Sequence, residues 1–328
     1  MPRLNPSELL ATVVIPVYNG MGDHLAETLN ATVNQELDGG FEIIVVDSGS
    51  HDGSAEFVRE LAEKHPKIRL FEIPNSEFSH GGTRQWAAEL ARGEYVAYLS
   101  QDAIPASSDW LAKMLAGFSA GSRVGGVLGR QKPRPDCFPL QKHEINRAFA
   151  AQGPPDQYTV YDAESPDQQT ARFYSDVCSA APRDLLLNEV PYRNVTYAED
   201  QAFGNDLITA GYQKVYAGPA VVVHSNDITL SEYPSRMLDE FRGLELAGVK
   251  IAAPTWRDLG RMTVKEAAED ARRAWHDPEY TRMQRVRYAV NAPLYRKARW
   301  LGQLFAATGQ TQFSLERRRK RQLAEVES

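Results

Sequence analysis

The chain has 328 residues, 42% hydrophobic and 24% charged, a composition that excludes a disordered or fibrous protein. Its formal net charge is -6, whereas nucleic-acid-binding proteins are usually strongly basic, so no nucleic-acid partner is expected. Two cysteines, Cys137 and Cys178, cannot build a disulfide framework and favour buried thiols in a reducing compartment, although a single bridge is compatible with the sequence.

The N-terminal third alternates short apolar strands with helices. Strands are predicted at residues 11–18, 41–47, 68–73 and 94–99, and helices at 24–34, 54–64 and 83–92. The strands are apolar on both faces, which is typical of a parallel sheet covered by helices on both sides. The sequence therefore predicts an α/β fold with a doubly wound, mainly parallel sheet, whose ligand crevice lies beyond the carboxyl ends of the strands.

Polar residues follow these strands and meet at that edge of the sheet. Asn19 follows the first strand, and Asp47 and Asp52 follow the second, where carboxylates can accept hydrogen bonds from a base or a ribose. The same carboxylates also fit an Asx-turn and a helix N-cap, and Ser54 is another capping candidate. The segment has no Gly-x-Gly-x-x-Gly fingerprint, which disfavours a dinucleotide-dependent dehydrogenase.

Three further residues are candidates for the chemistry. Asp102 follows the fourth strand and suits a divalent ion that bridges diphosphate oxygens, although an ordinary loop aspartate fits as well. His224 ends a later strand, where it is either a second metal ligand or a buried structural imidazole. Asp200 begins a predicted helix and is either a general base or a capping residue.

The rest of the chain divides at about residue 230. Residues 1–230 are predicted to form the catalytic domain, with a long loop or insertion at 132–170, followed by a helix near 200–210 and a strand at 214–223. Residues 231–328 are predicted to be a helical, basic region. No apolar stretch reaches about 18 residues and the N-terminus has no apolar signal segment, so we expect a cytoplasmic protein.

The C-terminal region concentrates positive charge. From Arg282 to Arg321 there are eleven Lys and Arg residues and one acidic residue, interleaved with aromatic and aliphatic side chains at near-helical spacing. This pattern predicts contact of residues 282–321 with an anionic inner-membrane surface. A helix packed on its own protein with solvated arginines also fits.

The ordered motifs resemble family 2 of the inverting glycosyltransferases. They are Val14-Ile-Pro-Val-Tyr-Asn19, Val45-Val-Asp-Ser-Gly-Ser50 with Asp52-Gly-Ser54, Gly93-Glu94, Gln101-Asp102-Ala103 and Glu199-Asp200-Gln201. Within that family, Phe78-Ser-His-Gly-Gly-Thr-Arg84, Gly129-Arg-Gln131 and Ser175-Asp-Val-Cys-Ser179 are similar to bacterial rhamnosyltransferases. The resemblance implies a GT-A fold, a nucleotide-sugar donor with dTDP-L-rhamnose favoured, and Mg²⁺ or Mn²⁺.

The resemblance also implies roles for individual residues. Asp200 would be the catalytic base, and Asp102 with His224 would hold the metal. Donor contacts would come from the following residues: Pro16, Val17, Asn19, Asp47, Asp52, His80, Gly81, Arg84 and Gln101. Acceptor contacts would come from Trp110, Arg130, Glu199 and Gln201.

One departure from the family pattern concerns the metal. The usual Asp-x-Asp triplet is replaced by Ser100-Gln101-Asp102 or by Gln101-Asp102-Ala103, and either alignment leaves one carboxylate and implies weaker metal affinity. The predicted function is transfer of a sugar to a hydroxyl of a glycan or lipid-linked saccharide in bacterial surface polysaccharide synthesis. The alternatives are a nucleotidyltransferase, or a catalytically inactive sugar-binding or scaffold protein; the sequence predicts no oligomeric state.

Overall fold

A computed structural model of the protein describes residues 9–195, 198–226, 228–246 and 252–309, which form two compact units. Of these residues, 9–132 and 146–224 form the first unit, and 133–145 with 225–309 form the second. All of 132–170 was predicted to belong to the first domain. Residues 133–145 belong instead with the C-terminal helices because Phe138 and Leu140 are buried in the same apolar cluster as Tyr233.

The first four strands form the parallel part of the sheet, as predicted. Their spatial order is β3-β2-β1-β4, with Ile15 paired to Val45 and Val14 paired to Tyr98. β1 and β2 are almost completely buried, which explains their apolar character on both faces. The strands are β1 Ala11–Val17, β2 Phe41–Asp47, β3 Ile68–Glu72 and β4 Tyr95–Leu99, and the intervening helices are α1 Leu25–Val33, α2 Ser54–Lys64 and α3 His80–Leu90.

The second part of the sheet is mixed. Strand β8 is antiparallel to both β4 and β6, and β9 is parallel to β6 but antiparallel to β5 and β7. The strands are β5 Ile104–Pro105, β6 Val124–Lys132, β7 Tyr158–Tyr161, β8 Cys178–Pro182 and β9 Gln213–Val223. The sheet thus continues beyond the parallel part that the sequence predicted.

Further helices follow along the chain, and two of them lie in the region that was predicted to be a loop. The helices are α4 Trp110–Ala116, α5 Pro139–Ala151, α6 Gln168–Arg172, α7 Arg183–Asn188 and α8 Glu199–Thr209. Residues 132–170 therefore contain α5, β7 and the start of α6. Their weak periodicity reflects stabilisation by distant residues rather than by a continuous apolar face.

Lys214 of β9 provides one such distant contact. Its fully buried ammonium donates to Gln152 Oε1 at 2.8 Å, to the Thr170 carbonyl at 2.6 Å and to the Phe173 carbonyl at 3.0 Å. Burial lowers the pKa of Lys214 to about 7, because removing the ammonium group from water is unfavourable. The three acceptors offset part of this desolvation cost. One lysine thereby fixes the segments that flank β7 and α6.

The second unit is helical. Its helices are α9 Tyr233–Leu246, α10 Trp256–His276 and α11 Arg282–Ala307. Phe138 stacks on Tyr295 with ring centroids 4.5 Å apart, and buried Arg296 pairs with Asp270. No helix among the described residues is long and apolar enough to cross a membrane.

We expect Lys214→Met to lower the free energy of unfolding by roughly 2–4 kcal/mol, because three buried acceptors would lose their donor. Urea unfolding followed by circular dichroism measures the change. Lys64→Met, at the exposed end of α2, is the matched control and should change stability by less than about 0.5 kcal/mol. Equal stability of the Lys214→Met variant and the parent protein would contradict this account of the segment.

Candidate active site

The loops that follow β1 and β2 hold each other through hydrogen bonds. Three consecutive backbone N–H groups of the first loop donate to side chains of the second at 2.9 Å each: Asn19 to Ser50 Oγ, Gly20 to Ser54 Oγ, and Met21 to Asp52 Oδ2. In return, Asn19 Oδ1 accepts from the His51 N–H at 2.9 Å. Asn19 has a left-handed φ of 49°, which asparagine tolerates better than most residues. The two loops therefore form one hydrogen-bonded cradle.

Asp47 and Asp52 also stabilise their own loop. Asp47 Oδ1 accepts from the N–H groups of Gly49 and Ser50, both at 2.9 Å. Partial burial opposes ionisation of Asp52, but hydrogen bonds from Ser54 and the Met21 N–H hold the pKa of Asp52 below its usual value. The turn and capping geometry anticipated as an alternative is thus present, and contact of either carboxylate with a nucleoside stays a prediction.

Gln101 joins the cradle to the loop after β4. Its Oε1 accepts from the Tyr18 N–H at 2.8 Å, while its Nε2 donates to the Tyr18 carbonyl at 3.3 Å and to Asp23 Oδ2 at 3.1 Å. A carboxylate at this position would lose both donated bonds and would face the carboxylate of Asp23. The Gln101 amide, which replaces the first aspartate if the triplet is Gln101-Asp102-Ala103, therefore has a structural role: it connects two loops.

Asp102 and His224 come together at the same edge of the sheet. His224 Nε2 lies 3.2 Å from Asp102 Oδ2, and both side chains are buried. On its other side, His224 Nδ1 lies 3.2 Å from Gln131 Oε1, while Gln131 Nε2 donates to Ser175 Oγ at 3.0 Å. When Nδ1 carries the ring proton, Gln131 Oε1 accepts it, and Nε2 then presents its lone pair to a carboxylate oxygen. Such a pair requires a proton or a cation between its two atoms.

The spacing of this pair fits a divalent ion. Two ligands about 2.1 Å from an octahedral ion and at right angles to each other are about 3 Å apart. Within the described part of the chain, no group of three or more His, Cys, Asp or Glu residues is arranged to hold a metal. Asp102 and His224 would therefore supply two ligands, leaving the other positions to water and phosphate oxygens, as Mg²⁺ sites commonly do.

Arg84 lies in a buried cluster of carboxylates between α3 and α8. Its side chain is paired with Glu199 Oε1 at 2.8 Å through Nη1 and with Asp176 Oδ2 at 3.3 Å through Nε. Arg84 is only 7% exposed. The sequence resemblance placed this residue at the donor, whereas the structure surrounds its guanidinium with acidic side chains.

Asp200 belongs to the same cluster. Its Oδ1 accepts from the Gln201 N–H at 2.7 Å, and its Oδ2 accepts from the Asp176 N–H at 3.4 Å. Burial raises the pKa of Asp200 well above its ordinary value, and the neighbouring Glu199 and Asp176 raise it further. A half-buried carboxylate of increased basicity can accept a proton from a hydroxyl group.

Comparison with known proteins identifies the family. Residues 12–186 match the family model described as Glycosyl transferase family 2. The chain belongs to glycosyltransferase family 2. It is 32% identical over 254 residues to the O-antigen chain rhamnosyltransferase RfbN of Salmonella typhimurium, a match that covers 76% of this chain and 75% of RfbN. It is 29% identical to WbaN of Salmonella anatum, with the same coverage.

Solved structures agree on the fold of this glycosyltransferase. The mannosyltransferase PcManGT of Pyrobaculum calidifontis, in complex with GDP-Man and Mn²⁺, superposes with a TM-score of 0.60 at 20% identity and covers 94% of this chain and 88% of its own. Residues 1–349 of S. aureus TarS superpose with a TM-score of 0.53 at 16% identity, covering 93% and 92%. The predicted GT-A fold is confirmed.

The predicted acceptor residues of this glycosyltransferase lie in different environments. Trp110 is fully buried in α4, where its Nε1 donates to Cys178 Sγ at 3.3 Å, so it packs in the core and presents no surface to an acceptor. Arg130 is half-buried in β6, and Gln201 Nε2 donates to the Tyr174 carbonyl. The structure therefore excludes Trp110 from an acceptor surface, and contact of Arg130, Glu199 and Gln201 with an acceptor stays a prediction.

The remaining predicted donor residues lie on β1 and α3. Pro16 and Val17 end β1, next to the cradle. At the start of α3, the ring of His80 packs edge-on against Phe78, with centroids 5.0 Å apart. A Cβ atom at Gly81 would lie 1.9 Å from the Arg193 carbonyl oxygen, so only glycine fits there.

The sequence did not predict that Asp176 and Tyr192 belong to this buried cluster. Asp176 Oδ1 accepts from the hydroxyls of Tyr192 and Ser179, both at 2.7 Å. Asp176 lies within the Ser175 to Ser179 motif that carried the family resemblance, but nothing in that motif indicates its partners. Tyr192 follows α7 without a motif, so no local signal identified it.

We expect Asp102→Asn to weaken Mn²⁺ binding by at least about tenfold, because the variant removes the only carboxylate of the proposed pair. Isothermal titration of Mn²⁺ in the presence of a nucleoside diphosphate measures this affinity without any turnover. Asp109→Asn, an exposed aspartate just before α4, is the matched control. Unchanged Mn²⁺ affinity in Asp102→Asn would place the metal elsewhere.

Proposed function

We propose that this glycosyltransferase transfers L-rhamnose from dTDP-L-rhamnose to a hydroxyl of a glycan or lipid-linked saccharide in surface polysaccharide synthesis, with inversion at the anomeric carbon. The sugar and the pathway follow the names of RfbN and WbaN, which match this chain over about three quarters of its length, and the dTDP carrier follows the sequence resemblance. The observation that carries the chemistry is the half-buried carboxylate of Asp200, held at the start of α8 beside other acidic groups.

In this mechanism Asp200 accepts the proton of the acceptor hydroxyl as its oxygen attacks the anomeric carbon. One carbon–oxygen bond forms to the acceptor and one breaks to the diphosphate, so a single displacement inverts the centre. General-base assistance of this kind is worth about 10²- to 10⁴-fold in rate. General-base catalysis is most efficient when the pKa of the base lies near the operating pH. A raised pKa brings the carboxyl group of Asp200 closer to neutral pH and therefore suits it to this task.

The donor would lie against the cradle. The loop residues Asn19, Asp47 and Asp52 would be positioned for the nucleoside, and Gln101 would hold the cradle in register with Asp102. A divalent ion, when bound at Asp102 and His224, supplies positive charge that stabilises the departing diphosphate. PcManGT was solved with a nucleotide sugar and Mn²⁺, which supports a metal and a donor of this general class.

We expect Asp200→Asn to lower the rate of transfer from dTDP-L-rhamnose by about 10²- to 10⁴-fold while leaving donor affinity nearly unchanged. The parent enzyme should lose activity as pH falls through the pKa of Asp200, and this acid limb should lie above the usual carboxyl range. Release of dTDP, measured across pH, reports both quantities.

Asp184→Asn changes an exposed aspartate in the first turn of α7 and serves as the control for folding and handling. Near-normal transfer by Asp200→Asn would reject the proposed base. If dTDP-L-rhamnose neither supports transfer nor raises the melting temperature, the proposed donor is wrong.

We also propose peripheral contact with an anionic membrane on the cytoplasmic side, through α11. Four apolar residues spaced three or four apart form an exposed stripe on this helix: Met283 at 80% exposure, Val286, Val290 at 69%, and Leu294. Exposed Arg282, Arg287 and Lys297 accompany the stripe, and α11 contains no acidic residue. An apolar face bordered by cations is the pattern of a helix that lies in a lipid interface.

The structure changes which side chains would touch the lipid. The sequence pattern includes aromatic and aliphatic residues alike, but Tyr295 stacks on Phe138 and Tyr288 donates to the Asp136 carbonyl inside the second unit. The smaller aliphatic residues occupy the exposed face instead. Residues 310–321 of the predicted membrane segment lie outside the described residues.

We expect the parent protein to float with vesicles rich in phosphatidylglycerol, but not with purely zwitterionic vesicles, and to detach as salt increases. The double variant Val286→Glu with Val290→Glu should remain at the bottom of the gradient. Ala116→Glu with Ala151→Glu adds the same charge at exposed helix ends and is the control, which should still float. Failure of the parent protein to float, or flotation of the first variant, would exclude this surface.

A further inference from the structure

We infer that Arg84 is a positioning residue for the base: it holds the two carboxylates that flank Asp200 instead of contacting the sugar donor. This inference rests on the proposed function, in which Asp200 accepts the proton. It assigns a different role from the donor contact that the sequence resemblance implied for Arg84. The two roles predict different kinetic behaviour and can therefore be separated.

The contacts of Arg84 are with protein acceptors. Nη1 lies 2.8 Å from Glu199 Oε1 and donates to the His80 carbonyl at 3.1 Å, and Nε lies 3.3 Å from Asp176 Oδ2. The side chains of Arg84, Glu199 and Asp176 are each less than about a tenth exposed. A buried guanidinium with these contacts is already neutralised, so it has little positive charge to offer a diphosphate.

Both partners of Arg84 are connected to the base. Glu199 directly precedes Asp200 in the first turn of α8, and the Asp176 N–H donates to Asp200 Oδ2 at 3.4 Å. The hydroxyls of Tyr192 and Ser179 fix the other oxygen of Asp176. Movement of either carboxylate would therefore change the orientation or the surroundings of Asp200.

Three acidic side chains in this cluster face one arginine. Burial raises the pKa of Asp176 to about 6, with Arg84 acting against the increase and Glu199 adding to it. Burial is the largest cause of the raised pKa of Asp200, and Glu199 and Asp176 raise it further, whereas Arg84 and the hydrogen bond from the Gln201 N–H lower it. Arg84 thus limits the basicity of Asp200 and keeps it ionised at a lower pH than the other carboxylates would allow.

The local sequence explains how Arg84 reaches this cluster. The start of α3 lies against the segment before α8, where the Gly81 N–H donates to the Val195 carbonyl at 3.3 Å. A side chain at Gly81 would collide with the Arg193 carbonyl and would push α3 away. Glycine at 81 and arginine three residues later therefore act together: the first permits close approach and the second places its charge beside α8.

The test compares Arg84→Gln with Arg84→Lys and Glu199→Gln, using the pH dependence of dTDP release from dTDP-L-rhamnose. Removal of the positive charge in Arg84→Gln should move the acid limb to higher pH by roughly one unit or more, and should lower kcat near neutral pH with little change in donor KM. Arg84→Lys keeps the charge, so its acid limb should stay close to that of the parent enzyme.

Glu199→Gln should move the acid limb in the opposite direction, to lower pH, because it removes a negative neighbour of Asp200. This variant keeps the inference testable if Arg84→Gln does not fold. An increase of tenfold or more in donor KM with an unmoved acid limb in Arg84→Gln would overturn the inference in favour of donor contact. A lower melting temperature with unchanged kcat and acid limb would overturn it in favour of a purely structural role.

Asp200→Asn separates failure of this inference from failure of the proposed function. If the acid limb persists in Asp200→Asn, then Asp200 is not the base and both proposals fall. If the limb disappears in Asp200→Asn but does not respond to Arg84 or Glu199, the base stands and only the role of Arg84 is rejected.

Discussion

Parallel pairing of β1 with β2 on one side and with β4 on the other is the constraint on which the site depends. Because Val17 pairs with Asp47, the two strands end at the same level, and their loops emerge side by side. Loops carry backbone N–H groups that the sheet does not satisfy. Here side chains of the loop after β2 accept hydrogen bonds from the N–H groups of the loop after β1, and these two loops form the cradle. Gln101 then connects the cradle to the loop after β4.

A second constraint is electrostatic. The first unit buries Asp176, Glu199 and Arg84 together, and burial of charge is costly unless the groups are paired and hydrogen-bonded. Burial raises the pKa of both Asp176 and Asp200, and because one guanidinium cannot neutralise all the surrounding carboxylates, neighbouring negative charge raises both values further. This burial of excess negative charge is unfavourable for stability, but it occurs where the proposed chemistry needs a carboxylate of increased basicity.

Much of the fold could be predicted because its signals are local. β2 and α2 begin and end where the sequence predicted, since an apolar strand and an amphipathic helix each leave a regular pattern. β8 was missed because Cys178–Pro182 is short and consists largely of small residues without β-branching. Close packing explains these small residues, since a Cβ atom at Gly129 would lie 2.2 Å from Cys178 Sγ. The segments fixed by Lys214 were missed because their stabilising partner is distant in the sequence.

The candidate site was also predictable only in part. Motifs identified Asp102 and Asp200, the end of a predicted strand identified His224, and the structure places Asp102 and His224 3.2 Å apart. No motif indicates whether a conspicuous side chain faces a ligand or a neighbour, because that depends on how the elements pack. Arg84 and Trp110 illustrate the difficulty, since both were assigned to ligands from sequence and both are buried against protein.

The C-terminal helices show that even a strong periodic pattern does not determine which face is buried. In α11 an aromatic stripe containing Tyr288 and Tyr295 and an aliphatic stripe containing Val286 and Val290 are both compatible with a core-facing side. The aromatic stripe packs inward because Phe138, which is distant in sequence, offers Tyr295 a stacking surface. The aliphatic stripe is therefore exposed to solvent, and it lies beside arginines rather than carboxylates. An apolar face with this charge pattern is better matched to an anionic lipid surface than to water.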